Sequence, residues 1–386
     1  MDKLAAQIIE HSREVSENNP VPESIDEMKK RIADSLITSY GAKDAEPVKI
    51  MSKALLPSSG RLNSPIYFTR NSASVDISSL INGTMTRYLD YNDTYLSKEA
   101  LHPSDNIPPM LALGYSKDMT GMDVIKSSMV AYDIAAGFSD ACSIRDRGWD
   151  HVTYISISSA AGLSTLLDLD ERKFEHCLNL AINNNISMRQ TRAGELSMWK
   201  GATAANACRN SVMAAELASE GFTGPSPIFS GEMGFFRQVS GEIFPVFKSN
   251  SVLRTMIKNY PVEYHAMSAA EVAVELKGRI EGDIESIEIE TFRVAHQIII
   301  KDPEKWRPKT RETADHSMPY IIAYALRYGA PNPDSYSEKY LNDPGILAHM
   351  GKMHFKVTER FNAMYPEYLP VKISVKTSKQ KIEKEL

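Results

Sequence analysis

The chain has 386 residues, 42% hydrophobic and 24% charged, values that allow sizeable globular cores. A formal net charge of −5 gives no basic surface of the kind that nucleic-acid-binding proteins use. No apolar run approaches the roughly 20 residues of a membrane span, and the N-terminal MDKLAAQ lacks a signal-peptide pattern. The length predicts two domains or one large domain with an insertion, and we expect an enzyme of the cytoplasm.

Residues 1–260 predict an all-helical domain, because apolar side chains recur at helical spacing between short loops. Ser24 with Glu27 predicts a capping box at the start of one helix, and Asp168 with Glu171 predicts the start of another. Two stretches rich in small residues predict central helices that their neighbours approach closely. These stretches are 156–164 and 201–218.

Residues 261–386 predict a smaller α+β domain, because the spacing of apolar side chains changes after Pro261. Alternation around Ile287 and Ile289 indicates one strand, and the same pattern around Ile373 indicates a second. The other elements predicted here are helices over 311–327 and 343–350 and a solvated lysine-rich tail over 376–386.

The three cysteines, Cys142, Cys177 and Cys208, are far apart in the sequence and form no C-x-x-C pair. Cys177 and Cys208 lie in helical patterns, where a small buried thiol is the ordinary interpretation. Scattered cysteines do not favour an iron–sulfur cluster, and the nine histidines show no zinc-ligand spacing. We therefore expect chemistry without a metal or other cofactor.

The most informative run is DYNDTYLSKEALHPSDN at 90–106, which places Asp90, Thr94 and His102 on one connection. Ser104 is a good N-cap residue for a helix that would follow. An imidazole beside a helix N-terminus is favoured in its neutral form, and the N–H groups there can hold an anion. Each residue by itself is more often a cap or a surface polar group, so the order and spacing carry the functional hypothesis.

This run resembles the signature D-[FY]-N-D-T-x₇-H-P-S-D-N of the 2-methylcitrate dehydratase (MmgE/PrpD) family, and LINGT at 80–84 also fits. The NDT form and its spacing to His102 are similar to the dehydratase branch rather than the cis-aconitate decarboxylase branch. The resemblance implies a mainly α fold, with a large all-helical domain, a smaller α+β lid and a site in the cleft between them. It also implies a homodimer. The family's long C-terminal segment is lacking here, and whether the C-terminal end packs back on the helical domain stays open.

The resemblance extends to further blocks, each of which also has an ordinary structural interpretation. Lys200 precedes a small-residue helix, where a lysine is electrostatically misplaced unless an anion is near; a solvent-facing lysine is the alternative. His265 falls near the domain junction, where a capping histidine is equally consistent. Tyr320 follows the block DHSMPY and would project from the second domain as an acid, or would be a core tyrosine.

Four further residues are candidates for substrate binding. Arg189 and Arg192 lie three apart and suit carboxylates, although a surface pair is as consistent. His316 belongs to the DHSMPY block. His151 is the weakest candidate, since a surface-loop histidine is the commoner case.

The resemblance implies dehydration of 2-methylcitrate, a small tricarboxylate, to 2-methyl-cis-aconitate in propionate breakdown. This β-elimination needs a base, an acid and cations that hold carboxylates. We expect His102, oriented by Asp90, to be the base, with Tyr320 or His265 as the acid, although the two roles could be exchanged. We expect Lys200, with Arg192 and Ser104, to hold carboxylates. The alternatives are a cis-aconitate decarboxylase, an iminodisuccinate epimerase and a non-catalytic helical scaffold.

Overall fold

The structure is a computed structural model that describes residues 2–56 and 63–386. The chain divides into two compact units. The helical unit consists of Met1–Gln190 and Gly201–Ile257, and the second unit consists of Thr191–Lys200 and Lys258–Leu386. The segment 191–200 therefore groups with the second unit, although it precedes the last part of the helical unit in the chain.

The helical unit is built from nine α-helices within the described residues. They are α1 (Lys3–Glu17), α2 (Pro22–Ala42), α3 (Glu46–Leu55), α4 (Val75–Tyr88), α5 (Ile107–Ser116), α6 (Gly121–Ala141), α7 (Val152–Leu166), α8 (Glu171–Asn184) and α9 (Trp199–Ser219). The strands β1 (Ser64–Pro65) and β2 (Ser72–Ala73) form one short antiparallel pair. The first two residues of α9 belong to the second unit.

Small residues bring the central helices together, as the sequence predicts. Every residue of α7 except Thr165 is buried. A Cβ placed on Gly162 of α7 would lie 2.8 Å from the Ser127 carbonyl oxygen of α6. One placed on Gly83 of α4 would lie 2.8 Å from the Cβ of Ala205 in α9. These close approaches are possible because glycine has no side chain.

The second unit combines seven α-helices with one four-stranded sheet in its described residues. The helices are α10 (Met267–Lys277), α11 (Arg293–Ile299), α12 (Arg311–Ala314), α13 (Met318–Tyr328), α14 (Glu338–Leu341), α15 (Pro344–Met350) and α16 (Glu359–Asn362). The strands are β3 (Ile284–Thr291), β4 (Met353–Val357), β5 (Lys372–Thr377) and β6 (Lys381–Glu385), in the order β4-β3-β5-β6. The β3–β4 pair is parallel and the other two are antiparallel.

Alternation places one face of this sheet in the core, since Ile287, Ile289 and Ile373 are buried. Helices α10 and α13 pack on each other, and α10 also packs on β5 and β6. The predicted class, mainly α with a smaller α+β part, is confirmed. Both predicted strands are present as β3 and β5.

Two local predictions of helix caps are wrong for identifiable reasons. The helix α2 begins at Pro22, so Ser24 is already inside it and makes no cap. The cap of α8 is Asp170, whose carboxylate accepts from the Lys173 N–H, rather than Asp168. The tail over 376–386 is largely exposed, as predicted, and it also forms β6, which pairs with β5.

A third prediction, one helix over 311–327, is also wrong. The chain forms α12, then a turn at 315–317, then α13, because Ser317 caps the Tyr320 N–H and Pro319 suits a first helical turn. That turn carries Asp315 and His316. The break therefore places the candidate His316, together with its neighbour Asp315, in a buried turn rather than within a helix.

None of the helices described is long and apolar enough to cross a membrane. Cys177 in α8 and Cys208 in α9 are buried free thiols, as predicted. Burial raises the pKa of both above the ordinary thiol value, so neither is a thiolate at neutral pH.

The close approach of α4 and α9 can be tested by Gly83→Ala. The new Cβ would meet Ala205, and overpacking of this kind costs about 1–3 kcal/mol of unfolding free energy. Urea unfolding measures the loss. Gly121→Ala is the matched control, because a Cβ there meets nothing within 4 Å. Equal stability of the two variants would contradict the packing.

Candidate functional site

The run 90–106 folds as a tied loop that leads into α5. A two-way backbone pair joins Thr94 to Met256, with the Thr94 N–H donating at 2.9 Å and the Met256 N–H donating at 2.8 Å. A 3₁₀ turn over Pro103–Asn106 then continues into α5. The pair and the turn fix both ends of the loop, so His102 enters the turn from a defined direction with only 8% of its surface exposed.

Hydrogen bonds define the tautomer of His102. Its Nδ1 lies 2.7 Å from the Asp93 carbonyl oxygen, which can only accept. Its Nε2 lies 3.0 Å from Nη2 of Arg87, which can only donate. The ring is therefore neutral with its proton on Nδ1, and Nε2 carries the lone pair. Thr94 Oγ1, 3.3 Å from Nδ1, adds a further polar contact.

Asp90 acts on His102 through Arg87 in this structure. The Asp90 carboxylate pairs with Nη1 of Arg87 at 2.8 Å, while Nη2 of the same guanidinium reaches His102. Arg87 is 1% exposed and Asp90 has a left-handed backbone, with φ of 51°. The expected orientation of the imidazole by Asp90 is therefore indirect, and Arg87 is the residue that the sequence analysis overlooked.

The predicted N-cap role of Ser104 is wrong, because Asp93 performs it. The Ser104 N–H donates to Oδ1 of Asp93 at 2.9 Å, and Oδ2 accepts from the Tyr132 hydroxyl at 2.9 Å. Burial raises the pKa of the Asp93 carboxyl, and the hydrogen bonds from Ser104 oppose that shift. Ser104 Oγ accepts from the Asn92 amide at 3.0 Å, and its hydroxyl donates to the Asp93 carboxylate.

His151 lies beside His102, with ring centroids 5.7 Å apart in an edge-to-face arrangement. It is buried at the start of α7, and its Nδ1 lies 3.3 Å from Oδ1 of Asp150. Arg189 approaches the other oxygen of Asp150 at 3.7 Å. These residues, with Arg87, Asp90, Asp93, Thr94 and His102, form what we call the His102 cluster. The weakest sequence candidate is thus one of its members.

In the second unit, Lys200 makes a fully buried ion pair with Asp315. Its Nζ lies 2.8 Å from each carboxylate oxygen, and both side chains are 0% exposed. Asp315 Oδ1 also lies 2.7 Å from Nδ1 of His316. The sequence argument required an anion near Lys200, and the protein supplies it from the turn before α13.

His265 is held between two polar partners of the same unit. Its Nδ1 lies 2.7 Å from Oε1 of Glu263 and its Nε2 lies 3.3 Å from the Tyr365 hydroxyl. The carboxylate can only accept, so the proton of the ring lies on Nδ1. The Glu263 N–H donates to the Asp315 carbonyl at 2.8 Å. Because of this bond, we group Lys200, Glu263, His265, Asp315 and His316 as the Lys200 cluster.

Tyr320 lies in the hydrophobic core of the second unit. It is 0% exposed, and its hydroxyl donates to the Ser335 carbonyl at 2.6 Å. Burial raises its pKa above the ordinary tyrosine value. This is the placement of a core tyrosine whose proton is already used. Arg192 is buried in a 3₁₀ turn with Arg189. That all the predicted residues line one cleft stays a prediction.

The residues that sequence reasoning overlooked are mostly partners of those it selected. Arg87 lies one helical turn before Asp90, and Glu263 lies two residues before His265, so local spacing could have suggested both. Asp315 stands within the DHSMPY block and was passed over for its neighbours. Tyr365 is 100 residues from His265, and no local pattern connects them.

Comparison with known proteins gives two adjoining family matches. Residues 6–245 match the MmgE/PrpD N-terminal domain, and residues 260–386 match the MmgE/PrpD C-terminal domain. A mitochondrial 2-methylcitrate dehydratase of Yarrowia lipolytica is 30% identical over 73% of this chain and 58% of its own length. The 2-methylcitrate dehydratase of Escherichia coli K12 is 28% identical over 73% of this chain and 63% of its own.

A fungal alkylcitrate dehydratase is 28% identical over 66% of this chain and 56% of its own length. The aligned part of this chain thus spans less than two thirds of the length of these curated relatives.

The core placement of Tyr320 predicts that Tyr320→Phe lowers stability rather than turnover. The substitution removes the hydroxyl that donates to the buried Ser335 carbonyl, and this loss should lower the free energy of unfolding by about 1–3 kcal/mol. Tyr336→Phe, which removes a buried hydroxyl from the Pro261 carbonyl, is the matched control. A large fall in turnover with unchanged stability, seen for Tyr320→Phe alone, would restore the acid role.

Proposed function

The chain belongs to the MmgE/PrpD family, and we propose that it is a 2-methylcitrate dehydratase that eliminates water to form 2-methyl-cis-aconitate. The observation that carries this proposal is the pair of buried imidazoles, His102 and His265, each with Nδ1 on a protein oxygen and Nε2 directed away. Elimination needs one group to take a proton and another to return one. The relatives named as dehydratases of 2-methylcitrate and alkylcitrate supply the substrate class.

His102 is the proposed base. Its neutral tautomer leaves the lone pair on Nε2, which is the form that can accept the α-proton of the substrate. Arg87 covers that nitrogen in the structure, so a substrate carboxylate that attracts the guanidinium would uncover it. Arg87 then stabilises the negative charge that grows on the carboxylate as the proton leaves.

His265 is the proposed acid. An imidazolium there would place its positive charge against the Glu263 carboxylate at 2.7 Å, whereas one at His102 would face Arg87. The Tyr365 hydroxyl, 3.3 Å from Nε2, positions the ring. His265 then protonates the departing hydroxide, which is a poor leaving group without that proton. Because its hydroxyl is used in the core, Tyr320 has no part in this mechanism.

Lys200 positions Asp315 and His316 in this proposal, because both carboxylate oxygens of Asp315 already neutralise it. Ser104, whose hydroxyl contacts Asp93 in the structure, is a proposed substrate contact, as are Arg192 and Arg189. Decarboxylation or epimerisation could use the same proton-transfer groups, but the relatives reported above favour dehydration. A scaffold function would leave the burial of two polar clusters without a purpose. We expect a cytoplasmic homodimer.

The whole function is tested by incubating the protein with 2-methylcitrate, citrate and cis-aconitate. Ultraviolet absorbance of an unsaturated acid formed from 2-methylcitrate is the expected result. Release of carbon dioxide from cis-aconitate, without dehydration of either citrate, would replace the dehydratase by a decarboxylase.

The base and the acid can be separated with His102→Ala and His265→Ala. Each should lower turnover by about 10²-fold or more, because each removes a proton-transfer group. Propane-1,2,3-tricarboxylate has no hydroxyl to lose, so exchange of its α-hydrogens with deuterated water reports the base alone. We expect His102→Ala to abolish that exchange and His265→Ala to retain it.

His354→Ala is the control, since that histidine is exposed on β4 and should leave both measurements unchanged. The reverse result, with exchange retained by His102→Ala and lost by His265→Ala, would move the base to the second unit.

A further inference from the structure

Lys305 is a buried lysine in the second unit, and no described residue forms a hydrogen bond or ion pair with its ammonium group. It lies in the 3₁₀ turn Pro303–Trp306, and its side chain is 0% exposed. Its Nζ is buried and makes no hydrogen bond or ion pair with any described residue. Lysines with a buried stem ordinarily keep the ammonium group in water, whereas the Lys305 nitrogen does not reach water.

The position of Lys305 is fixed by its backbone. Its carbonyl accepts from the Ser317 hydroxyl, and Ser317 directly follows His316 in the turn before α13. The adjacent Trp306 donates its indole N–H to the Ile300 carbonyl at 2.8 Å and packs edge-on against Phe355. The lysine therefore starts beside the turn that carries the Lys200 cluster.

Two of the three carboxylates that act on Lys305 are already paired with other groups. The charged groups that act on its pKa are Asp302, Asp315, Lys200 and Glu263. Asp315 is neutralised by Lys200, and Glu263 is paired with His265. Desolvation therefore outweighs the attraction of the carboxylates and lowers the pKa of Lys305 to about 8.

We propose that the Lys305 ammonium binds one carboxylate of an anionic substrate next to the Lys200 cluster. A buried ammonium without a direct partner destabilises the protein, and an incoming carboxylate supplies the ion pair that no described side chain makes. Lys200, which the sequence selects for this task, is occupied by Asp315. The identification of the anion as a tricarboxylate rests on the proposed function.

Binding of such an anion would be coupled to proton uptake. Near pH 8 about half of the free protein has a neutral Lys305, and a bound carboxylate would restore the charged form. Affinity should therefore fall as the pH rises above about 8, and uptake through Lys305 should vanish near pH 6.5. Other titratable groups lie close by and are common to every variant. They are Asp302, Glu263, Asp315, Glu312, His265, His316 and Lys200.

The test is isothermal titration calorimetry with propane-1,2,3-tricarboxylate, at about pH 8 in two buffers of different ionisation enthalpy. The proteins are the wild type and Lys305→Met. We expect Lys305→Met to bind roughly 10- to 100-fold more weakly, as loss of a charged hydrogen bond implies. It should also take up about half a proton less per bound ligand.

Two further variants keep the result interpretable. Lys309→Met, at an exposed position four residues along, should match the wild type in affinity and proton uptake. Lys305→Arg retains the charge without titrating, so it should retain most of the affinity and lose the uptake. Lys305→Met should fold at least as stably as the wild type, because an apolar chain replaces an unpaired charge.

Wild-type affinity and proton uptake in Lys305→Met would overturn this inference, as would the absence of binding to the wild type. A second outcome separates this inference from the proposed function. If ligand binding and proton uptake depend on Lys305 but the protein forms no unsaturated acid from any tricarboxylate, the proposed dehydratase is refuted and this inference stands. If Lys305→Met dehydrates the substrate at the normal rate with an unchanged KM, this inference is refuted and the proposed dehydratase stands.

Discussion

The buried ion pair between Lys200 and Asp315 is the interaction on which the second unit's polar cluster depends. Both groups are withdrawn from water, so each is tolerable only with the other, and removing one would cost about 3–5 kcal/mol. The pair fixes the segment 191–200 to the turn before α13, and Leu196 reinforces this through hydrogen bonds with Thr310 and Thr313. The same turn orients His316 and, through its backbone, Glu263. An electrostatic requirement thus organises the cluster.

The imidazoles of His102 and His265 have different hydrogen-bond partners, and this difference is the reason that the proposed mechanism makes one the base and the other the acid. His102 donates to an uncharged carbonyl and accepts from a guanidinium, whereas His265 donates to a carboxylate. Electrostatics therefore favours the uncharged ring in the helical unit and an acid beside Glu263. Lys305 adds a buried cation that no residue in the described part of the chain pairs with directly. In the proposed mechanism, an anionic ligand would pair with that cation, and separate groups would take and return its protons.

Much of the fold followed from local sequence patterns, while helix starts did not. The strands around Ile287 and Ile373 were predictable because alternation directly reflects a half-buried sheet. The small-residue stretches indicated close packing correctly. Cap patterns were less reliable, since Ser24 is preceded by Pro22, which starts α2 earlier, and Asp170 competes with Asp168 for one helix. Several side chains can satisfy the same free N–H groups, so local chemistry does not select one.

The sequence by itself determined which chemical groups this protein carries and the family to which its motifs are similar. The spacing along the run 90–106 selected His102 as a candidate base. The loop is short, so Thr94 and His102 remain neighbours in space. Only the tertiary structure decided the partners: Arg87 on Nε2 of His102, Asp315 on Lys200, and Tyr320 in the core. Lys305 is the clearest case, because its sequence neighbourhood is that of an ordinary surface lysine. Its burial, and the lack of a direct partner for its ammonium group among the described residues, arise only when distant segments pack together.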